Sequence, residues 1–592
     1  MGILLGLPFL IGLHLARRFW WRLPFRIGGH LLLIFFCTAF VFIEIAQLFF
    51  WNEFEGRFDS IAVNYLLFPR EVIGNIHESF NLMLFLPIAA ALVIGLYLFL
   101  RKPLDAALMA PSIPGERRQM AGVAAGLGAF ASVMVYLGPF EISDHREINE
   151  VITNGFQSFL LAAVNNDARY DGLYPTLPPA EALPLVRKLV AQDNTRPLAA
   201  GETQSLLRRV DNGATPKRLN VVLVIEESFG SSYVDGLDNT SGESISPNVT
   251  RLAKDGLFFT NVYATGNRTV RGLEALLTSF PPIPGVSTAR RPGSKDMNSL
   301  AFLLKSQGYQ TAFLYGGRAA FDNMGTFWST IGFDRVWDQG DVADQGFTTI
   351  WGVADEYLFT EALTRIDSLA AAKKPFLLSL LTVSNHRPYV YPVGRIAKDP
   401  AAKRRENSAT YADWAFGDFI ARAQKRPWFD DTVFVFIGDH GPRVYGSAAV
   451  PVPSYRVPLL FYAPKHIRPD RVGVLGSSMD MAPTLLGQLA LSYDSPFFGV
   501  DLMRVPATGG RAAMEHNFAV AYADGSNVAV LGPRTATKGY TMRLGPAELQ
   551  PAPGGADPAV EKKAIALFQT AHHMFYDHKY HELAAAAARP AR

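Results

Sequence analysis

Cysteine is nearly missing from this chain: there is one, Cys37, and it lies in an apolar run. That excludes an intramolecular disulfide framework and any Cys-based metal site. A domain exported without disulfides must draw its stability from core size and bound metal. Net charge is also slight, +3 over 592 residues. No basic stripe with interleaved aromatics is present, so nucleic acid is excluded as a partner. Ser228 does not sit in a Gly-x-Ser-x-Gly elbow, which argues against a serine hydrolase. Apolar residues, by contrast, are abundant at 49% and concentrated at the front. The length suits two or three domains.

A bilayer core of ~30 Å is crossed by ~20 apolar residues of helix. Residues 29–51, 80–100 and 120–140 meet that length. The run 2–16 is shorter, but it lacks the basic n-region and small-residue cleavage site of a signal peptide. About four spanning helices are therefore expected within 1–140. Arg17, Arg18, Arg22 and Arg26 separate the first two runs, and Arg101, Lys102, Arg117 and Arg118 the last two. The Lys/Arg bias places both loops in the cytoplasm and everything after the fourth run outside. The N-terminus then also faces out, and a helix upstream of Met1 would explain that. Glu44, inside the second run, is a candidate functional group by rarity, read more simply as a carboxylate reaching the interface.

Residues 141–217 are expected to hold a juxtamembrane amphipathic helix, 149–166, and Pro/Gly-rich linker. From 219 the pattern changes. Residues 219–225, 376–383, 432–437 and 457–462 are continuous apolar runs of the kind that form strands buried on both faces. Helices alternate with them: Ser246-Pro247 opens one and Gly308 closes another. Residues 218–545 are thus expected to form an α/β domain with a mostly parallel sheet. Residues 546–592 are expected to be a C-terminal tail, in which His572, His573, His578 and His581 read as a polar helix rather than a second metal site.

In parallel α/β sheets ligands bind beyond the carboxyl ends of the strands. Three predicted strands end there in reactive residues: Glu226-Glu227-Ser228, Ser384-Asn385-His386-Arg387-Pro388 and Gly438-Asp439-His440-Gly441. Residues 266–272, Gly-Asn-Arg-Thr-Val-Arg-Gly, precede a helical run and set Thr269 at a helix N-terminus, where anions are favoured. Each motif alone is weak, since an isolated Thr at a helix start is usually a cap. The set is specific. Glu227, Asp439, His440 and the Thr269 hydroxyl suit one divalent ion, Mn2+ or Mg2+, with Zn2+ less specific. Such an ion lowers the pKa of the Thr hydroxyl and makes it a nucleophile. Arg268 and Arg271 would balance phosphoryl charge, and His386 would protonate the leaving oxygen or hold the phosphate. Strand alternation sends Glu226 and Glu227 to opposite faces, so Glu227 is the expected ligand.

The order of these motifs resembles the lipoteichoic acid synthase family of sulfatase-like enzymes in the alkaline phosphatase superfamily. Ile225-Glu226-Glu227-Ser228, Ser246-Pro247-Asn248 and Arg268-Thr269-Val270-Arg271-Gly272 carry the likeness, followed by Tyr315-Gly316-Gly317 and Phe321-Asp322-Asn323-Met324. Trp351-Gly352-Val353, Ser384-Asn385-His386-Arg387-Pro388, Asp439-His440-Gly441 and Asp480-Met481-Ala482-Pro483 complete it. The resemblance implies an N-terminal transmembrane bundle before an extracytoplasmic catalytic domain at the bacterial inner membrane. It implies transfer of a phosphoglycerol head group from a phosphatidylglycerol-like phospholipid, through a phospho-threonine, to a glycan or lipid acceptor. Mn2+ is the implied metal, held by Glu227, Thr269, Asp439 and His440. Arg268, Arg271, Asn323, His386 and Arg387 are the implied substrate contacts. One stretch departs: the family's Trp-Asn-Arg is absent from 321–324, so its Trp and Arg are unmatched, and the chain resembles the Gram-negative members more. Related phosphoethanolamine transferases are rich in disulfides, which one cysteine does not allow. Sulfatases proper need Cys/Ser-x-Pro-x-Arg, and Thr269-Val270-Arg271 does not supply it. The alternatives are a phosphodiesterase with the same site, a phosphoethanolamine transferase, or a silent binding domain.

Overall fold

The computed structural model describes residues 22–54, 56–109, 115–137, 142–143, 145–165, 170–198, 205–442, 446–534, 536–543 and 549–581. The chain divides into two compact units. One is Met1–Pro69 with Ser79–Asn166, and the other is Arg70–Glu78 with Asp167–Arg592. Helices α1 (Arg22–Phe54), α2 (Pro69–Ser79), α3 (Leu82–Met109) and α4 (Glu116–Leu137) lie at the front of the chain.

In the first unit α1 packs against α3, and Arg26 pairs with Asp105 at 2.8 Å. Arg26–Phe54 and Leu82–Ala106 are long and apolar enough to cross a membrane. The expected span at 120–140 falls largely in α4, where Ala121–Phe130 is apolar; residues 138–140 lie outside the described residues. The run 2–16 lies outside the described residues. Among the described residues these two helices meet the requirement. Glu44 is exposed on α1.

The second unit is built on a nine-stranded sheet. Its strands are β1 (Asn220–Glu226), β2 (Leu257–Tyr263), β3 (Gln310–Tyr315), β4 (Arg335–Trp337), β5 (Phe376–Leu381), β6 (Thr432–Gly438), β7 (Arg456–Tyr462), β8 (Asp470–Val472) and β9 (Gly476–Ser477). The order is β8-β2-β7-β6-β1-β5-β3-β4, with β9 on β2. Strands β6, β1, β5, β3 and β4 pair in parallel, and β7 alone runs against its two neighbours, β6 and β2. The central strands are apolar without alternation because both faces are covered. Val221, Leu223 and Ile225 of β1 enter one core, while Val222 and Val224 enter the other. Each such side chain contributes roughly 1.5–3 kcal/mol of burial. Helix α5 (Thr269–Thr278) lines the first core, and α6 (Asp355–Ala371) and α7 (Arg405–Ala423) the second.

The stretch read as linker is partly ordered into this unit: Thr195–Pro197 and Arg208–Val210 pair with each other, and Arg208–Val210 also with Tyr493–Ser495. Beyond the sheet, Arg511–His516, Ala519–Asp524, Asn527–Leu531, Lys538–Thr541 and Gln550–Pro551 form an antiparallel meander. The segment read as a tail holds α8 (Pro558–Tyr576), started by Asp557, whose carboxylate accepts from Ala559 N and Val560 N. Helix α8 buries Ala564, Leu567, Phe568 and Ala571 in the first core. Its histidines are bound locally: His572 Nε2 accepts from Tyr170 N, and His573 faces Asp171.

Candidate active site

The parallel strands deliver their C-terminal residues to one rim. Alternation along β1 sends Glu227 toward the α5 side and Glu226 to the opposite side, where Thr382 donates to it at 2.8 Å. Two glycines let the pieces close up. A Cβ on Gly272 of α5 would lie 2.3 Å from the Asp439 carbonyl oxygen, and one on Gly438 would lie 2.0 Å from that of Phe229. The first turn of α5 can therefore sit directly on the end of β6.

Glu227, Asp439 and His440 are all buried, and their ligand atoms lie within 4.8 Å of one another. Thr269 Oγ1 donates to Glu227 Oε2 at 2.9 Å. His386 Nε2 stands 3.3 Å from Glu227 Oε1. Ser228, with φ 51°, turns its N–H onto Asp439 Oδ1 at 2.7 Å and its hydroxyl onto Glu227 Oε1 at 2.6 Å. Asp439 Oδ1 also accepts from His440 N, while its buried Oδ2 has no hydrogen-bond partner among the described residues. His440 Nδ1 lies 2.7 Å from the Gly441 carbonyl, which assigns the proton to Nδ1. The lone pair of Nε2 is then turned to the carboxylates, 3.6 Å from Asp439 Oδ2 and 3.7 Å from Glu227 Oε1.

The electrostatics fit a cation. Burial penalises the Glu227 carboxylate, but the His386 and His440 imidazoles outweigh it and hold the group below the usual carboxylate range. Burial, with the Glu227 charge beside it, pushes Asp439 well up. Burial also pushes the His440 pKa down. Two carboxylates this close and this dry resist joint ionisation without positive charge. An orphaned Oδ2, a second carboxylate and the imidazole Nε2 turned toward both make a donor set that suits a divalent ion.

Arg268 reaches Asp322 Oδ2 at 2.9 Å, and Arg290 stands 3.5 Å from Asp322 Oδ1. The residues at 322 and 323 both have positive φ, which turns Asp322 inward and leaves Asn323 exposed with its amide donating to the Ala289 carbonyl. Arg271 is turned away into the interior, against Glu274, Glu515 and the Gly285 carbonyl. Arg387 is partly exposed, 5.7 Å from the Tyr389 ring. Trp351 stacks on His386 at 4.2 Å and 15°, with Phe321 edge-on to it. Sequence reasoning assigned no role to Ser228, Arg290 or Trp351. Trp351 carried a signal, a Trp-Gly motif; Arg290 carried none, since it arrives from a 3-10 turn remote from every motif.

A mostly parallel sheet with a hydroxyl-bearing helix start and a carboxylate–imidazole cluster on its rim defines a class of metal-assisted phosphate and sulfate ester enzymes. The comparisons agree. A family model of the sulfatases matches residues 219–491. A protein of the alkaline phosphatase superfamily from Vibrio parahaemolyticus superposes with a TM-score of 0.64 and 32% identity, covering 69% of this chain and 99% of that one. The chain belongs to the alkaline phosphatase superfamily and carries its sulfatase-like domain. Among curated relatives, phosphoglycerol transferase I of Xanthomonas campestris pv. campestris (strain B100) is 27% identical over 311 residues, 48% of this chain and 43% of the relative. Lipoteichoic acid synthase 1 of Bacillus subtilis (strain 168) is 26% identical over 347 residues, 53% of this chain and 51% of the relative. The chain thus matches about half the length of these relatives. The lipoteichoic acid synthase LtaP of Listeria monocytogenes shares the fold, with a TM-score of 0.51 at 20% identity.

Proposed function

We propose that this protein is a membrane-anchored phosphotransferase at the bacterial inner membrane, with its catalytic unit facing outward. It moves a phosphoglycerol-type head group from a phosphatidylglycerol-like donor to an envelope glycan or lipid. The names of the curated relatives support this reading. So do two apolar helices of spanning length. The observation that carries it is the Thr269 hydroxyl, held at a helix N-terminus and hydrogen-bonded to a carboxylate of the one His/Asp/Glu cluster among the described residues able to hold a metal ion.

Glu227, Asp439 and His440, with the Thr269 oxygen, would hold one divalent ion, Mn2+ in our reading, which supplies charge neutralisation and a more acidic Thr hydroxyl. Thr269 Oγ1 attacks the donor phosphorus, and the bond from phosphorus to the diacylglycerol oxygen breaks. The Thr proton has Glu227 Oε2 as its acceptor, 2.9 Å away. His386, 3.3 Å from Glu227, gives a proton to the departing oxygen. The phospho-threonine is then attacked by an acceptor hydroxyl, which gives its proton to His386; the bond from phosphorus to Thr269 breaks, and the Thr oxygen takes back its proton from Glu227. Arg268 stands beside the nucleophile to meet the phosphoryl oxygens.

Intact-protein mass spectrometry after incubation with Mn2+ and mixed bacterial phospholipids tests this. A glycerophosphate adduct on Thr269, absent from Thr269→Ala, is expected. A phosphoethanolamine adduct would reassign the donor. The absence of any adduct, with metal bound, would overturn the phospho-threonine mechanism.

A further inference from the structure

Glycine inside a helix costs roughly 0.5–1 kcal/mol relative to alanine, so Gly74 in the middle of α2 needs a reason. Ile350 provides one. A Cβ on Gly74 would lie 2.3 Å from Ile350 Cγ1 and 2.4 Å from its Cδ1, so the isoleucine fills the groove the glycine leaves. Polar contacts flank this packing. Arg318 Nη2 donates to Glu71 Oε1 at 2.8 Å, in a pair whose side chains are only 26% and 12% exposed. Ile350 N donates to Glu78 Oε2 at 3.0 Å, and Lys403 Nζ to the Glu78 carbonyl at 3.0 Å. Arg70–Glu78 belongs to the same compact unit as all these partners.

The residues held in this way build one wall of the active site. Ile350 precedes Trp351, whose ring lies on His386 at 4.2 Å. Arg318 follows Gly317, which is so close to this loop that a Cβ would lie 2.5 Å from the Trp351 carbonyl oxygen. The buried Trp351 Nε1 has no hydrogen-bond partner among the described residues. The indole is therefore fixed by packing and by its neighbours' backbone, not by an anchor of its own.

We propose that Arg70–Glu78, contributed by the sequence between the two longest apolar helices, is a positioning element of the active site. Through Ile350 and Arg318 it sets where Trp351 lies on His386, and thereby where the His386 proton meets the leaving oxygen. Glu71, Gly74 and Glu78 are positioning residues and touch no reacting atom. The inference rests on the phosphotransfer reading of His386.

Full-length protein in lipid nanodiscs tests it, with Gly74→Leu, Gly74→Leu/Ile350→Ala, Glu71→Arg and Glu71→Arg/Arg318→Glu. Hydrogen exchange of peptides spanning 346–353 and 383–389 reads the position of the loop without reference to turnover. Head-group release from labelled phosphatidylglycerol reads the chemistry. Gly74→Leu and Glu71→Arg are expected to speed exchange in both peptides and to lower kcat about tenfold, with KM changed less than threefold (the factor of ten is ~1.4 kcal/mol). Each double variant is expected to restore both readouts to within about threefold, by restored volume or restored charge pairing. Faster exchange with unchanged kcat, or unchanged exchange in 383–389, would overturn the proposal. A wild type that releases no head group from any donor would instead overturn the phosphotransfer reading, and the exchange of 383–389 would still decide the positioning claim.

Discussion

Arg271 and Arg268 are three residues apart, yet the fold gives them opposite surroundings. Arg268 keeps its guanidinium at the rim beside Asp322. Arg271 is enclosed by Glu274 and Glu515, neither of which has water to turn to. Removing one member of a buried charged network costs about 3–5 kcal/mol because the other charges lose their partner. Arg271→Met is therefore expected to lower unfolding stability by that amount in denaturant titrations, with little change in KM for the folded fraction. A raised KM at unchanged stability would assign Arg271 to the substrate instead. Asp413 supplies a second test at this scale. It accepts three N–H groups, two from Asn248 and one from Val249, yet burial still pushes its pKa up to about 6. The folded chain thus keeps a proton that an unfolded chain, with an ordinary carboxyl near ~3.9, has released. The stability linked to this site is full below pH ~4 and is lost as pH rises through about 6. The stability advantage of wild type over Asp413→Asn is expected to shrink by about 3 kcal/mol between pH 4 and 7, from ~1.4 kcal/mol per unit over about two units. A difference that is flat with pH would refute it.

The elements that matter most are β1, β6 and α5, and their contact depends on Gly272. A larger side chain there meets the Asp439 backbone at 2.3 Å, with no flexible group to give way. Gly272→Val is expected to lift α5 from the end of β6, separate Thr269 from Glu227 and abolish turnover. Isothermal titration should show Mn2+ affinity weakened by at least tenfold, of the order of 1.4 kcal/mol. The strands themselves were legible in the sequence, because the unbroken apolar runs at 219–225 and 432–437 admit few other readings in an α/β chain. The separation of Glu226 from Glu227 was legible too, since alternation along a strand is geometry. Short elements were not. The strands at Thr195–Pro197 and Arg208–Val210 lie among Pro, Gly and polar residues, and they pair with each other and, through the latter, with the distant Tyr493–Ser495. Helix α8 looked like a tail because its apolar face, with Ala564, Leu567, Phe568 and Ala571, acquires meaning only against a core.

Across the whole molecule, stability and function are expected to meet at the metal. A ligand that binds only the folded state stabilises it by RT ln(1 + [L]/Kd), about 2.7 kcal/mol at a hundredfold excess over Kd. Chelator dialysis is expected to lower the melting temperature of the purified protein by several degrees and re-addition of Mn2+ to restore it. A melting temperature indifferent to chelator would argue against a resident ion at Glu227, Asp439 and His440. The sequence by itself determined the sheet, its rim and the types of residue that arrive there, because periodicity and strand ends are local properties written in nearest neighbours. It also determined the apolar front, in which two helices of spanning length stand among the described residues. Only the tertiary structure decided which arginine faces the site, that Trp351 lies on His386, and that Asp322 draws Arg268 and Arg290 together. Those choices depend on which distant segments pack against one another, and on the cost of leaving a buried charge unpaired. No window of sequence contains either.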